Sequence, residues 1–477
     1  MHVHLIGVAG TGMGALAGLL QRAGHRVSGS DVAFYPPMGE ALARWGIETR
    51  KGWDPANVAD RPNLVVIGNV CRKDNPEAVA ALEAGLKTTS MPGAIETLFL
   101  AERPGWVVTG THGKTTTTTL LAFLLDQLGR DPGLLVGGIP KDFDESFRVG
   151  AAGAPFVLEG DEYDSAFFEK TPKMWRYRPH AVVLTSVEHD HIDIYPDPAS
   201  YRAAFEGLVD RIPADGTLVA FAGDPEVRAV ASRARCRVVY YAMQGDDVGD
   251  ARPTWLAAPV AAQGGMQPFD LFVGGTSCGP VLSPMAGEHN VRNAVAAIAL
   301  CAEALVPEGT TSVQELVGIL RRFSGVRRRQ DLLGEARGVR VYDDFAHHPT
   351  AVRETTAALR ARHPEGKLVA VFEPRSATAC RNLHQQGYAE AFHAADAVVL
   401  APLGRSNIPG AEQLDLAAVA AAIRAHGGDA VVPPDLDAVL AAILARASSG
   451  DTVLLMSNGD FGGLHDRLLA ALASPSG

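Results

Sequence analysis

A chain of 477 residues is too long to fold around one hydrophobic core and implies about three domains. With 47% hydrophobic and 20% charged residues, it has the composition of a globular protein, which excludes a disordered one. A net charge of -11, from 43 basic and 54 acidic residues, excludes a general electrostatic attraction to nucleic acid or an anionic membrane, so anionic ligands must be caught at local sites.

From the N-terminus, His2 to Ile6 reads as a strand. A glycine turn follows, then a helix from Ala15 to Ala23, a strand Arg26 to Ser30 ending in Asp31, and a later strand Leu64 to Ile67. This pattern predicts a small Rossmann-like domain over residues 1–103. Leu5 to Leu20 is apolar enough to suggest a signal-peptide core, but Gly7, Gly10, Gly12 and Gly14 interrupt it and no basic segment precedes it. Gly10-x-Gly12-x-x-Ala15, with Asp31 about twenty positions on, nearly matches a dinucleotide-binding fingerprint, so an NAD-dependent dehydrogenase is one reading. The extra Gly7 and Gly14, and a second phosphate loop in the same chain, favour another pyrophosphate, that of a nucleotide-sugar diphosphate.

A second domain is expected over residues 104–325. Trp106 to Thr109 is a short apolar strand and Thr117 to Leu128 carries apolar residues at helical spacing, so Gly110-Thr111-His112-Gly113-Lys114-Thr115-Thr116 forms a strand-to-helix turn. Glycines let backbone N–H groups approach phosphate oxygens, the helix N-terminus adds partial positive charge, Lys114 reaches the outer phosphates, and Thr115 offers a hydroxyl to Mg2+. The motif is a shortened G-x-x-G-K-T-T, because Val108 stands where a strict Walker A has its first glycine. ATP is the expected ligand. Two acidic groups follow at strand ends, where open α/β sheets bind ligands: Glu159-Gly160-Asp161-Glu162-Tyr163-Asp164 after Phe156 to Leu158, and Glu188-His189-Asp190-His191-Ile192-Asp193 after Ala181 to Leu184. Carboxylates beside an ATP loop favour a hard cation over zinc. Taken singly, Asp161, Asp164, Glu188 and Asp193 read as solvated loop charges.

A third domain is expected over 326–477, with strands Val339 to Tyr342, Leu368 to Phe372, Ala397 to Leu400 and Thr452 to Met456 between alanine-rich helical stretches such as Leu416 to Ile423. The alternation throughout predicts α/β domains with mainly parallel sheets. Five scattered cysteines (Cys71, Cys236, Cys278, Cys301, Cys380) form no C-x-x-C and argue against a disulfide framework, and no apolar run reaches the roughly 18 to 20 residues of a spanning helix. A cytoplasmic protein without a membrane anchor is expected.

Together these motifs resemble those of the Mur ligases, which build the peptide of bacterial cell-wall precursors, and the resemblance spans essentially the whole chain. Gly110 to Thr116 is similar to the family's ATP loop, Glu159 to its metal-binding glutamate, and Asp190-His191-Ile192-Asp193 to its D-H-x-D motif. Gly287-Glu288-His289-Asn290-Val291-Arg292-Asn293 resembles the element framing the adenine. Arg328-Arg329 and Tyr342-Asp343-Asp344-Phe345-Ala346-His347-His348-Pro349 resemble the elements that bring the C-terminal domain to the nucleotide.

The resemblance implies a three-domain enzyme using ATP and Mg2+. Lys114, Glu159, His191 and Arg329 would be catalytic, with Thr115, Glu159 and His191 as metal ligands. His289, Asn290 and Asn293 would meet adenine, Asp344 the ribose and Arg329 the γ-phosphate, while Gly10, Gly12, Gly14 and Asp31 face a UDP-sugar. Within the family, the N-terminal glycine loop and D-D-x-x-H-H-P resemble the branch acting on UDP-N-acetylmuramate. Tyr35-Pro36-Pro37-Met38, Glu162-Tyr163-Asp164, Glu373-Pro374-Arg375-Ser376 and Met456 to Gly463 resemble the members adding a recycled tripeptide, L-alanyl-γ-D-glutamyl-meso-diaminopimelate, in preference to those adding L-alanine. Arg375 and Ser376 would then hold a carboxylate of the peptide. A folate-type polyglutamylating ligase, which shares the ATP loop but would not need the N-terminal Rossmann-like domain, and an inactive nucleotide-binding regulator are the remaining alternatives. Two departures stand out: Phe205 replaces the lysine that several relatives carbamylate near a metal, and Ser186 replaces a common asparagine. The third domain is expected to close over ATP before chemistry, excluding water.

Overall fold

The computed structural model describes residues 1–261 and 265–473, so the last four positions of the expected third domain, and three within the second, lie outside the described residues. The chain divides into two compact units. One comprises residues 1–188, 198–255 and 295–319, and the other 189–197, 256–294 and 320–477.

The first unit holds two mainly parallel sheets. In the N-terminal one the order is Glu48–Lys51, Arg26–Asp31, His2–Ile6, Leu64–Ile67 and Thr88–Ser90, all parallel. Val3, Leu5, Ile6 and Leu64 to Ile67 are buried, as expected for strands covered on both faces. Strand order reverses between His2–Ile6 and Leu64–Ile67, which opens a ligand crevice at their carboxyl ends. The helix after the first strand begins at Thr11, four residues earlier than expected, with Gly10 in extended conformation as its N-cap. Gly12 and Gly14 are therefore helical. A Cβ on Gly14 would lie 2.1 Å from the sulfur of Met38, so this glycine admits a neighbouring side chain.

The second sheet of this unit runs Arg237–Met243, Thr217–Phe221, Pro179–Leu184, Gly105–Thr109, Phe156–Gly160, Gly133–Leu135 and Phe147–Arg148, antiparallel only at the last pair. Its register sets Thr109 opposite both Leu184 and Gly160. Three strand ends are thereby aligned, those that lead into the glycine loop and into the two acidic segments.

The second unit carries a hairpin, Gln267–Val273 with Thr276–Ser283, and a six-stranded sheet. The sheet order is Asp331–Ala336, Val339–Asp344, Thr452–Met456, Leu368–Phe372, Ala397–Leu400 and Asp429–Val431, with only the first pair antiparallel. Alternate strand residues enter two cores: Ala370, Phe372, Leu454 and Met456 face one side, Val369, Val371, Val453 and Leu455 the other. Helix Leu416–Ala425 buries only Val419, Ala420 and Ile423, so it lies on the surface of its unit.

Candidate active site

The glycine loop of the first unit is tied to its neighbours at almost every residue. Gly110 has φ +132°, and a Cβ there would lie 2.1 Å from Thr185 Oγ1 and 2.7 Å from the Ser186 amide, so only glycine fits. Thr111 N donates to Ser186 O (3.0 Å), and His112 N donates to Ser186 Oγ (3.0 Å). Ser186, the departure from asparagine, thus fixes the loop with its short hydroxyl. Gly113 (φ +79°) is the N-cap of helix Lys114–Gln127, which starts three residues earlier than expected and points its amino end at the loop. Thr115 and Thr116 lie buried in its first turn.

Lys114 Nζ donates to Gly110 O (2.6 Å), Thr111 O (3.3 Å) and the carboxylate of Glu162 (3.0 and 3.2 Å). Burial works against its charge, but Glu162, Asp161 and Glu159 together outweigh burial and raise its affinity for the proton. Thr115 Oγ1 donates to Glu159 Oε1 (3.0 Å), while Glu159 Oε2 accepts from the Gly137 amide (2.8 Å). Two oxygen donors at a phosphate loop suit a hard cation such as Mg2+.

Two contributors escaped the sequence reading. Glu162 is fully buried against Lys114, and Glu188, read as a solvated charge, pairs with His112 Nε2 (2.7 Å) and exchanges backbone bonds with the Thr111 hydroxyl. Both lie in acidic runs whose members look alike in sequence. Asp161 and Asp164 are also not free charges, since they pair with Lys173 (2.7 Å) and Lys170 (2.8 Å); Asp193 is exposed. Phe205, in place of the modifiable lysine, is fully buried edge-on to Tyr201.

At the N-terminal sheet, Asp31 is fixed by accepting from the amides of Ala9 (2.9 Å) and Val32 (2.7 Å), which joins the strand end to the glycine turn. Gly7 (φ +87°) makes that turn and Gly10 stays open, whereas Gly12 and Gly14 pack against Met91 and Met38.

The remaining predicted residues belong to the second unit. His289, Asn290 and Asn293 occupy the first turns of helix Glu288–Leu305. Asn290 donates to Ala286 O (2.8 Å) and accepts from Asn293 Nδ2 (3.2 Å), and His289 Nε2 lies 3.3 Å from Gln330 Nε2. Asp344 accepts from the amides of Gln330 (2.7 Å) and Ala346 (2.8 Å), shaping the turn beside Arg329. Burial raises its pKa against the opposing effect of Arg329. Arg328 and Arg329 both lie over the ring of Phe345, at 5.3 and 5.1 Å. Arg328 is bound to Asp343 (3.1 Å), Ser457 O (2.7 Å) and Gly459 O (2.6 Å), whereas Arg321 and Arg322 are exposed. His191 takes a left-handed conformation (φ +55°), its amide donating to Asp190 Oδ1 (2.7 Å). Burial works against the Asp190 charge, but His191 and His347 hold its carboxyl below the usual range. Burial pushes His347 down to about 4.

Two further segments meet where the central strands of the six-stranded sheet end. Glu373 N donates to Met456 O (3.0 Å), and Arg375 Nη1 lies 3.1 Å from Asp460 and 3.5 Å from Glu373. Cβ atoms on Gly404 or Gly459 would strike the Arg375 stem, so these glycines make its channel. Ser376 Oγ accepts from the Ala379 amide (2.9 Å) and caps the local turn.

Comparison with known proteins gives the family. Residues 2–103 match the Mur ligase family catalytic domain, 108–301 the Mur ligase middle domain, and 328–459 the Mur ligase glutamate ligase domain. A UDP-N-acetylmuramate–L-alanyl-γ-D-glutamyl-meso-2,6-diaminoheptandioate ligase of Escherichia coli is 35% identical over 99% of this chain and 98% of its own. The chain belongs to the Mur ligase family. Like other Mur ligases it is an ATP-dependent enzyme of three α/β domains that forms amide bonds. A murein peptide ligase of Psychrobacter arcticus, solved by crystallography, superposes with a TM-score of 0.71 at 32% identity, covering 100% of both chains. A UDP-N-acetylmuramate–L-alanine ligase of a Roseiflexus species is 36% identical over 96% of this chain and 97% of its own. Relatives of both branches thus stand at similar overall identity. No helix among the described residues is long and apolar enough to cross a membrane.

Proposed function

We propose that this Mur ligase joins the recycled tripeptide L-alanyl-γ-D-glutamyl-meso-diaminopimelate to UDP-N-acetylmuramate at the expense of ATP, returning cell-wall peptide to precursor synthesis. The observation that carries the reading is the convergence of Glu373–Ser376 with Met456–Gly463 around Arg375. An arginine held between two glycines and oriented by Glu373 and Asp460 offers a planar, bidentate partner to a peptide carboxylate. L-Alanine alone presents one carboxylate, at the reacting residue; the tripeptide presents further ones at a distance. The names of the Escherichia coli and Psychrobacter relatives support the same choice.

The chemistry follows from the residues. The muramoyl carboxylate attacks the γ-phosphorus of ATP, ADP leaves, and the tripeptide's free amine displaces phosphate from the acyl phosphate to form the amide. Carboxylate and triphosphate repel each other, so their encounter needs fixed positive charge. We assign that role to Lys114 and Arg329, with the helix N-terminus at Gly113 adding its dipole. Thr115 and Glu159, with His191 at a second site, would hold Mg2+, which supplies further neutralisation of the phosphates. His289, Asn290 and Asn293 are assigned to the adenine, while Asp344, already bonded to two amides, orders the turn carrying Arg329 and reaches the ribose with its remaining lone pairs. Gly10, Gly12, Gly14 and Asp31 form the sugar-nucleotide turn, where Gly7 and Gly10 give close approach and Gly12 and Gly14 let the helix pack. Limits of 1–103, 104–325 and 326–477 are proposed for the three domains.

The test is direct. The protein is incubated with ATP, Mg2+ and UDP-N-acetylmuramate, with tripeptide and L-alanine offered separately, and phosphate release and product mass are followed. Tripeptide adduct with little alanine adduct is expected. Alanine adduct alone would reassign the chain to the other branch represented by the Roseiflexus relative.

A further inference from the structure

Glu162 is a carboxylate that the chemistry above does not use, and its side chain is sealed from solvent beside the nucleotide loop. Its Oε2 and Oε1 lie 3.0 and 3.2 Å from Lys114 Nζ, and Oε1 also accepts from the Tyr201 hydroxyl (3.2 Å). Tyr201 is buried edge-on to Phe205, and its hydroxyl lies 3.0 Å from Thr111 Oγ1. The carboxylate is therefore anchored by the protein as well as by the lysine. An ammonium has three N–H donors. Those of Lys114 are shared among Gly110 O, Thr111 O and Glu162, so a phosphate entering the loop must take over one of these shares, and Glu162 is the only anion among the three.

We propose that Glu162 is the resident counter-ion of Lys114, its oxygens standing in for phosphate oxygens, and that nucleotide binding includes an exchange in which Lys114 leaves Glu162 for the polyphosphate. A buried lysine without a partner is costly, so Glu162 keeps the loop organised whenever no phosphate takes its place. The same contact competes with the ligand. The carboxylate that loses its partner is left in a poorly solvated position beside incoming negative charge, which weakens nucleotide binding. When the γ-phosphoryl group has been transferred, Glu162 can reclaim Lys114 and so promote departure of ADP. The inference rests on ATP use by the family and is independent of the tripeptide reading.

Calorimetric binding of ADP and of a non-hydrolysable ATP analogue to the full-length protein provides the test. Glu162→Gln keeps the shape and the Tyr201 contact while removing the charge; Glu162→Met keeps the length and serves if the first variant does not fold. Nucleotide affinity is expected to rise about tenfold, with slower ADP release in stopped flow. A merely structural ion pair predicts the opposite sign. Unchanged or weakened nucleotide binding in a folded variant would overturn the proposal, whatever the protein does with peptides.

Discussion

Arg375 and His363 show how single side chains of the second unit can be interrogated separately from the rest of the protein. The Arg375 guanidinium is oriented by Glu373 and Asp460 and remains 40% exposed, enough to meet a ligand. Arg375→Lys keeps the charge and removes the planar fork. A lost charge-assisted hydrogen bond of about 1.5–3 kcal/mol should raise the KM for tripeptide about ten- to a hundredfold while leaving those for ATP and UDP-N-acetylmuramate within about twofold. An equal loss for all three substrates would make Arg375 structural. His363 bears on stability. Burial, reinforced by Arg340 and Arg362, pushes it down to about 4, and the ring lies 2.9 Å from the Tyr342 hydroxyl. The unfolded chain takes up the proton near 6.5 and the folded one does not, so this contribution is fully present above about pH 6.5 and is lost as pH falls towards 4. With allowance for partial solvation, denaturant titrations at pH 7.5 and 4.5 should show His363→Gln losing about 1–2 kcal/mol less than the parent.

At the scale of elements, the glycine loop proposed to hold ATP depends on three strand ends being in register, and Gly110 is where they meet. Gly110→Ala forces a residue at φ +132° with its Cβ against the Ser186 backbone and the Thr185 hydroxyl, which donates to the carbonyls of Thr109 and His112. A loss of about 2–4 kcal/mol in stability, together with nucleotide binding, is expected by thermal unfolding with and without ADP. Gly153→Ala, also at positive φ but with open space around its Cβ, should cost only about 1 kcal/mol. The same contrast explains what could be read in advance. Leu368–Phe372, Ala397–Leu400 and Thr452–Met456 matched their expected bounds because a strand buried on both faces is a continuous apolar run ended by polar or turn residues. The first helix began early because Gly12 and Gly14 look like loop residues until Met91 and Met38, distant in sequence, are seen packing on them. Glu162 was invisible for a related reason: three other carboxylates, Glu159, Asp161 and Asp164, lie within three positions of it, and only the fold decides which one faces Lys114.

For the molecule as a whole, alternating strands and helices made the three-domain α/β architecture legible, and motifs in their proper order made ATP use legible. The choice of incoming amine was carried only by short segments such as Glu373–Ser376, because overall identity to the tripeptide- and alanine-adding relatives is nearly equal, at 35% and 36%. Global charge supplies one more test. A protein of net charge -11 repels ATP at long range, so under the proposed assignment its binding would rest on short-range groups: the loop amides, the helix N-terminus and Lys114. Salt screens the long-range repulsion, with a Debye length of about 10 Å at 0.1 M, more effectively than it screens a largely buried lysine in contact with phosphate. The KM for ATP is therefore expected to stay level or fall as ionic strength rises from about 0.02 to 0.15 M at constant free Mg2+. A several-fold rise over that range would mean that a positive field at the site entrance attracts the nucleotide, and that local capture by the loop is not the main source of affinity.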